Sequence, residues 1–226
     1  MSAGLKIKSR FVAAMAIGLG LISGFSFPDT AGAQTAEGMN ISAGTFLVRG
    51  RAIAVLPDVS STISTIGGKV QATNAIVPEV DFSYFLTDQF ALELIAATTR
   101  HGVKATGTAA GTVNLGSVWL LPPTLSLQWH PMPKASFSPY LGVGINYTFF
   151  YNNNAPGGLI NSVGYKNNAG YALQAGADIS LKGPWFMNVD VKKLFLSTTA
   201  NVNHGFVSAK VDLDPIIAGI GFGYRF

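Results

Sequence analysis

Oily and polar side chains alternate residue by residue along eight stretches of this chain. In 45–56, Phe46, Val48, Ala52 and Ala54 share one face, and Arg49 and Arg51 the other. In 78–86, Val80, Phe82, Tyr84 and Leu86 oppose Glu79, Asp81 and Ser83; in 90–98, Phe90, Leu92, Leu94 and Ala96 oppose Glu93. Leu125, Leu127 and Trp129 oppose Thr124, Ser126 and Gln128 within 118–129. In 139–150, Leu141, Val143, Ile145, Tyr147 and Phe149 oppose Gly142, Gly144, Asn146 and Thr148. Tyr171, Leu173, Ala175, Ala177 and Ile179 oppose Gln174, Gly176 and Asp178 in 169–181, and Met187, Val189 and Val191 oppose Asn188, Asp190 and Lys192 in 185–196. The eighth stretch, 210–226, carries Ile216, Ala218, Ile220, Phe222, Tyr224 and Phe226 on one face, and small residues and Arg225 on the other. A period of two is the signature of a β-strand with two unlike faces.

Each stretch runs about 9–17 residues, enough for a tilted strand to cross a bilayer, which needs roughly 9–11. The connections alternate in length. Thr87-Asp88-Gln89 and Lys182-Gly183-Pro184 are short and His130 to Phe137 is moderate, whereas 57–74, 100–117, 151–168 and 197–209 are long and rich in Gly, Ser, Thr and Asn. Eight strands with short turns at one end and long loops at the other predict an all-β fold: an eight-stranded antiparallel transmembrane β-barrel with short periplasmic turns and long extracellular loops. Closure follows from the solvent, because lipid offers no partner to an open sheet edge. A soluble barrel, with its oily face inward, is the competing architecture. The polar set here is too small to solvate an exterior of that size.

Composition sharpens this choice. Charged residues are 12% of the chain, about half the roughly 25% usual in soluble domains, while 48% are hydrophobic and the mean hydropathy is +0.34. Beyond residue 27 no apolar run approaches the roughly 18 residues of a spanning helix. At the N-terminus Lys6, Lys8 and Arg10 precede an apolar run from Phe11 to Phe27, and Ala31-Gly32-Ala33 forms a small-x-small cleavage box. This predicts a signal peptide over 1–33 and a barrel over 34–226. Without the signal segment the formal charge of +4 falls to about +2, so the basic character predicts no nucleic-acid partner. The absence of cysteine excludes thiol catalysis and cysteine-ligated metals. His101, His130 and His204 lack metal-ligand spacing, and no motif places a nucleophile beside them, so neither metal, cofactor nor enzymatic activity is expected.

Several segments, in this order, resemble the outer-membrane protein W family of small eight-stranded barrels from Gram-negative bacteria. They are Phe46-Leu47-Val48-Arg49, Leu92 to Thr98, Leu121-Pro122-Pro123-Thr124-Leu125, Gln128-Trp129, Pro139 to Thr148, Leu213-Asp214-Pro215 and Gly223-Tyr224-Arg225-Phe226. The resemblance implies a cell outer membrane location and passive uptake of small hydrophobic molecules. It also implies links to colicin reception and stress responses. The alternative function is a structural or surface-interaction barrel, a receptor for colicin, phage or host factors without significant transport.

Parity along the strands assigns candidate sites. Leu47, Ile53, Val55, Phe85, Ile95 and Leu196 point inward as an apolar funnel. Below it Arg49, Arg51, Glu79, Asp81, Glu93, Asp178, Asp190, Lys192 and Arg225 are expected to form a mutually paired charged plug, because unpaired buried charge is costly. Pro122 and Pro123 fall within a predicted strand, where the missing N–H donors make a candidate lateral opening toward lipid. Phe222, Tyr224 and Phe226 would close the barrel and address the outer-membrane assembly machinery. The expected partners are outer-membrane lipid, small hydrophobic solutes and that machinery.

Overall fold

The computed structural model describes residues 38–64, 67–158 and 160–226; the expected signal segment, 1–33, lies outside the described residues. Fifteen strands follow one another: β1 Phe46–Leu56, β2 Ser60–Ile63, β3 Lys69–Ala72, β4 Ala75–Phe85, β5 Phe90–Ala97, β6 Thr99–Thr108, β7 Gly111–Leu121, β8 Thr124–Trp129, β9 Phe137–Asn154, β10 Val163–Tyr165, β11 Asn168–Ser180, β12 Trp185–Phe195, β13 Ser197–Val202, β14 Val207–Asp212 and β15 Ile216–Arg225. Eight of them, β1-β4-β5-β8-β9-β11-β12-β15, pair antiparallel in a ring that closes where β15 meets β1. The register runs from Leu47 against Arg225 to Leu56 against Ile216, so the last strand leaves no edge. This is the predicted barrel.

Which face turns out is decided by the alternation. Leu94, Leu125, Leu141, Val143, Ile145, Leu173, Val191 and Ile220 are all exposed, and their inward neighbours are buried or, at Gly144, Gly219 and Gly221, half-buried. A wall that shows Leu, Val and Ile to its surroundings is stable in acyl chains and not in water. Rings crowd the short-turn end: Phe46 lies 6.2 Å from Phe226, Tyr224 lies 4.7 Å from Phe226, and Trp185 packs edge-on to Tyr224 at 5.0 Å. Such a girdle suits the lipid headgroup level.

Two of the expected strands are broken. The 118–129 stretch divides into β7 and β8 at Pro122-Pro123, and 210–226 divides into β14 and β15 around Asp214, which has φ of 31°, and Pro215. The long connections differ more from expectation. They are not open loops: β2, β3, β6, β7, β10, β13 and β14 carry the wall outward, with β6 against β7 and a second sheet ordered β10-β13-β14-β2. The reason is that alternation persists beneath the Gly- and Thr-rich composition. Val103, Ala105, Leu115, Val118, Ala200, Val202, Ala209 and Val211 are buried inward and form one apolar cluster with Ile63, Val70 and Phe150.

At the opposite end the chain preceding β1 tucks under the barrel. Met39 and Ile41 donate backbone N–H bonds to the Ala135 and Pro133 carbonyls, and both side chains are buried with Leu47, Phe85, Ala91 and Phe186. The periplasmic end is thereby closed by an apolar cap.

Candidate functional site

The interior is layered along the barrel axis. Above the basal cap lies a layer of ion pairs. Arg49 Nε and Nη2 donate to the two carboxylate oxygens of Asp178 at 3.0 and 2.8 Å, and Nη1 donates to Asp81 at 2.8 Å and Ser83 at 2.7 Å. Arg51 Nε donates to Glu79 at 2.8 Å and Nη1 to Asn188 at 3.0 Å, while Nη2 lies 2.7 Å from Asp81 and 3.4 Å from Glu93. Lys192 Nζ is 2.5 Å from Asp190 and 3.7 Å from Glu79. All eight of these charged groups are buried. Planar guanidinium groups suit this layer because each offers five donors in a fixed fork, so Arg49 and Arg51 each hold several strands at once.

Neutral side chains complete the layer. The Tyr140 hydroxyl donates to Asp190 at 2.8 Å, Gln174 donates to the same oxygen at 2.8 Å, and Asn188 donates to Asp178 at 2.8 Å. Parity placed Gln174 and Asn188 on the inward face, but only pairing partners reveal their role. Tyr140 had no sequence signal beyond its step from Gly142. Inward glycines are filled rather than empty. A Cβ at Gly176 would stand 2.4 Å from the Tyr140 hydroxyl, and one at Gly223 would stand 2.2 Å from the Phe186 ring. Large side chains thus lie over small ones, and the charged layer is packed shut.

Three of the candidate residues sit elsewhere than expected. Leu47 and Phe85 belong to the basal cap, below the ion pairs, and not to the funnel. Arg225 is outside the plug: it is the register partner of Leu47 and donates to the Met39 carbonyl at the base. The cause is common to all three. Alternation fixes whether a side chain points inward, but height depends on where the strand begins. Leu47 is the second residue of β1, Phe85 ends β4 and Arg225 ends β15.

The other four funnel residues, Ile53, Val55, Ile95 and Leu196, line a cavity of about 150 Å³ above the plug. Its floor is Glu79 and Lys192, and its wall rises through Leu194, Ile217, Val103, Leu115, Leu120, Val202 and Val211. Phe150 and Tyr165 stack at 5.7 Å on its side. Burial in this apolar surround raises the Tyr165 phenol to about 12, so it stays neutral. His101, in β6 rather than in a loop, is buried with Nδ1 2.6 Å from the Thr73 carbonyl and Nε2 3.0 Å from Thr99 Oγ1. The Thr73 carbonyl can only accept, so Nδ1 carries a proton, and burial favours the neutral imidazole. An apolar cavity of this volume admits a molecule the size of benzene.

The two prolines lie on opposite sides of the wall. Pro122 lines the cavity, together with Ala97 and Thr124, whereas Pro123 lines a groove on the lipid-facing surface with Leu94, Leu125, Ile145 and Tyr147. On one flank the ladder is kept: Tyr147 N–H donates to the Pro123 carbonyl at 3.2 Å, and register is continuous from Leu121–Phe149 to Thr124–Asn146. On the other flank pairing stops at Ile95–Thr124 and resumes at Thr99–Leu120. Neither proline has an N–H to give there.

Comparison with known proteins agrees with this architecture. The OmpW family model matches residues 42–226. An outer-membrane protein of Sinorhizobium fredii, y4mB, is 40% identical over 198 residues, covering 86% of this chain and 85% of that protein. The dibenzothiophene metabolism operon protein PahQ of Pseudomonas aeruginosa is 31% identical over 165 residues, 71% of this chain and 76% of that one. Among solved structures, the outer membrane protein OprG from Pseudomonas aeruginosa superposes with a TM-score of 0.76 at 31% identity, over 83% of this chain and 98% of that chain.

Proposed function

This chain belongs to the OmpW family and is a barrel of the Gram-negative outer membrane, and from that premise we propose that it passively admits small hydrophobic molecules through the apolar funnel and releases them sideways into the membrane. The observation that carries the reading is the placement of neighbouring prolines, Pro122 on the cavity and Pro123 on the lipid-facing groove. A solute in the funnel meets a sealed, ionic floor below it, at Glu79 and Lys192. Desolvating a greasy molecule against buried ion pairs gains nothing, whereas acyl chains beyond the wall are as apolar as the funnel. At the gap in pairing between Ile95–Thr124 and Thr99–Leu120 the described wall separates these two apolar spaces without a backbone ladder on one flank. No energy source is needed, since the solute moves down its own gradient. The name of the relative PahQ associates that protein with a dibenzothiophene metabolism operon, and a fused sulfur arene is the kind of neutral apolar molecule this funnel suits.

The test is uptake by cells whose outer membrane keeps its glycolipid barrier, since bare phospholipid passes hydrophobic solutes unaided. Cells producing the chain should take up labelled naphthalene faster than cells lacking it. Replacing both prolines, Pro122→Ala with Pro123→Ala, restores two donors to the seam and should lower uptake toward the level of cells lacking the chain. Unchanged uptake in that variant would remove the lateral route, and no difference between producing and non-producing cells would remove transport.

A further inference from the structure

The outward face of β3, β6 and β7 carries charge that nothing in the described chain balances. Lys69, Arg100 and Lys104 are exposed on it. Lys69 stands opposite Thr106 and Lys104 opposite Gln71, which makes the two lysines diagonal neighbours on one face. Like charges so placed repel. Arg100 donates to Ser117 Oγ at 3.0 Å, a neutral partner. The described carboxylates lie elsewhere: five are in the plug, Asp88 faces Lys134 at a periplasmic turn, and Asp58, Asp212 and Asp214 lie beside the β12–β15 side of the mouth.

Height gives this face a meaning. Phe90 is an exposed ring at the start of β5, level with the basal aromatic girdle through its register partner Trp129. Ten residues separate it from Arg100 along one outward-facing line. At about 3.3 Å per residue and a tilt near 40°, that is about 25 Å, the height of the apolar band of such barrels. Arg100 therefore stands at the outer headgroup level, and Lys104 and Lys69 about 10 Å above it. Beside Arg100 are Trp119, its register partner, and Tyr151, whose ring lies 6.2 Å from that indole. Cations, two rings and amide side chains at that height match a phosphorylated sugar head: guanidinium and ammonium for phosphate, flat rings for sugar faces.

We propose that this face binds the phosphorylated head of the outer-leaflet glycolipid, with Arg100 on the phosphate nearest the acyl chains and Lys69 and Lys104 on groups farther out. The site adjoins the proline seam, because Trp119 is three residues from Pro122 on β7. It does not depend on transport. The experiment uses the full chain purified in mild detergent and rough lipopolysaccharide as the probe, with retention read by native mass spectrometry. Arms with phosphatase-treated lipopolysaccharide, phosphatidylglycerol and inorganic phosphate separate the glycolipid from any anion. The expected result is that K69Q/R100Q/K104Q weakens retention about tenfold, as loss of charge-assisted phosphate contacts would. Phosphatase treatment should weaken it for the native chain alike, and K69R/R100K/K104R should keep it. Substituting Lys166→Gln and Lys210→Gln, outside this face, should change nothing. Should the triple glutamine variant not fold, single R100Q and K104Q chains are read in the same way. Equal retention by the folded neutral variants overturns the proposal. So does retention of phosphatidylglycerol as tightly as lipopolysaccharide, or displacement of the glycolipid by millimolar inorganic phosphate.

Discussion

Arg49 meets Asp178 in a two-point bond, Nε to one carboxylate oxygen at 3.0 Å and Nη2 to the other at 2.8 Å, that ties β1 to a strand three places away around the barrel. Both side chains are fully buried. Arg49 also serves Asp81, so a single guanidinium compensates two carboxylates far from water. Replacing Arg49 with Met leaves both carboxylates buried without it, and the loss is expected at about 3–5 kcal/mol. Urea-induced unfolding from lipid vesicles measures it. Arg49→Lys keeps the charge but not the fork, and should fall between the two. A methionine variant as stable as the native chain would mean that the layer is not held by these pairs.

Packing over glycine gives an independent check on the seal. The Phe186 ring occupies the space that a side chain at Gly223 would fill. Gly223→Ala then forces the ring or the backbone of β15 aside, at about 1–3 kcal/mol. Combining it with Phe186→Leu should recover part of the loss, because the shorter side chain vacates the position. Denaturation midpoints of the four chains form the cycle that isolates the contact.

Filling the funnel should stop uptake and leave the barrel standing. Ala200 is buried in the wall of the cavity. Ala200→Phe places a ring in space that the native chain leaves open, so naphthalene uptake should drop to the level of cells lacking the chain. Ala218→Phe adds the same ring to the lipid-facing side of β15 and should leave uptake intact. Comparable loss in both variants would indicate damage to the fold instead of a blocked cavity.

The fold and most of the plug were legible in the alternation because a barrel wall has only two faces. Once one face must meet lipid, every odd or even residue is assigned together. Arg49, Arg51, Glu79, Asp81, Glu93, Asp178, Asp190 and Lys192 are buried as that rule requires. What parity lacks is a vertical scale. It could not separate Leu47 and Phe85, under the plug, from Ile53 and Ile95, above it, because all four share one parity and one chemistry. The outer strands were hidden for another reason. Val103, Ala105 and Leu115 alternate as clearly as any transmembrane segment, but their outward neighbours are Gly, Thr, Asn and Lys rather than Leu and Phe. A wall that has left the membrane has no oily outer face, and its composition imitates a loop.

The direction of the wall can be tested by charge. Val143 is exposed at mid-height of β9, between Leu141 and Ile145. If these residues meet acyl chains, Val143→Lys should cost about 2–4 kcal/mol in lipid vesicles. Thr106→Lys, outward on β6 above the apolar band, should cost less than about 1 kcal/mol. Equal effects at the two heights would place the bilayer wrongly.

The last expectation concerns pH and the outer hairpin. Burial in the funnel wall lowers the His101 imidazole below its ordinary value of 6.5, against the opposing bond to the Thr73 carbonyl. The unfolded chain therefore takes up a proton at His101 before the folded chain does. Stability rises with pH wherever the unfolded state binds more protons, so the contribution of neutral His101 is complete above about pH 6.5 and shrinks as pH falls from there toward the lowered folded value. The loss comes from burying a charged imidazole in the funnel wall, where β6 meets the β3–β4 connection and Nδ1 lies 2.6 Å from the Thr73 carbonyl. Amide exchange in β3 and β6 should accelerate between pH 7.5 and pH 5, beyond the intrinsic change of exchange chemistry, while β11 and β12 stay protected. His101→Gln can keep a donor for Thr73 but takes up no proton, so its hairpin protection should lose this dependence on pH. A native hairpin equally protected at both values, or a glutamine variant with the same dependence, would show that His101 does not set the opening of the funnel wall.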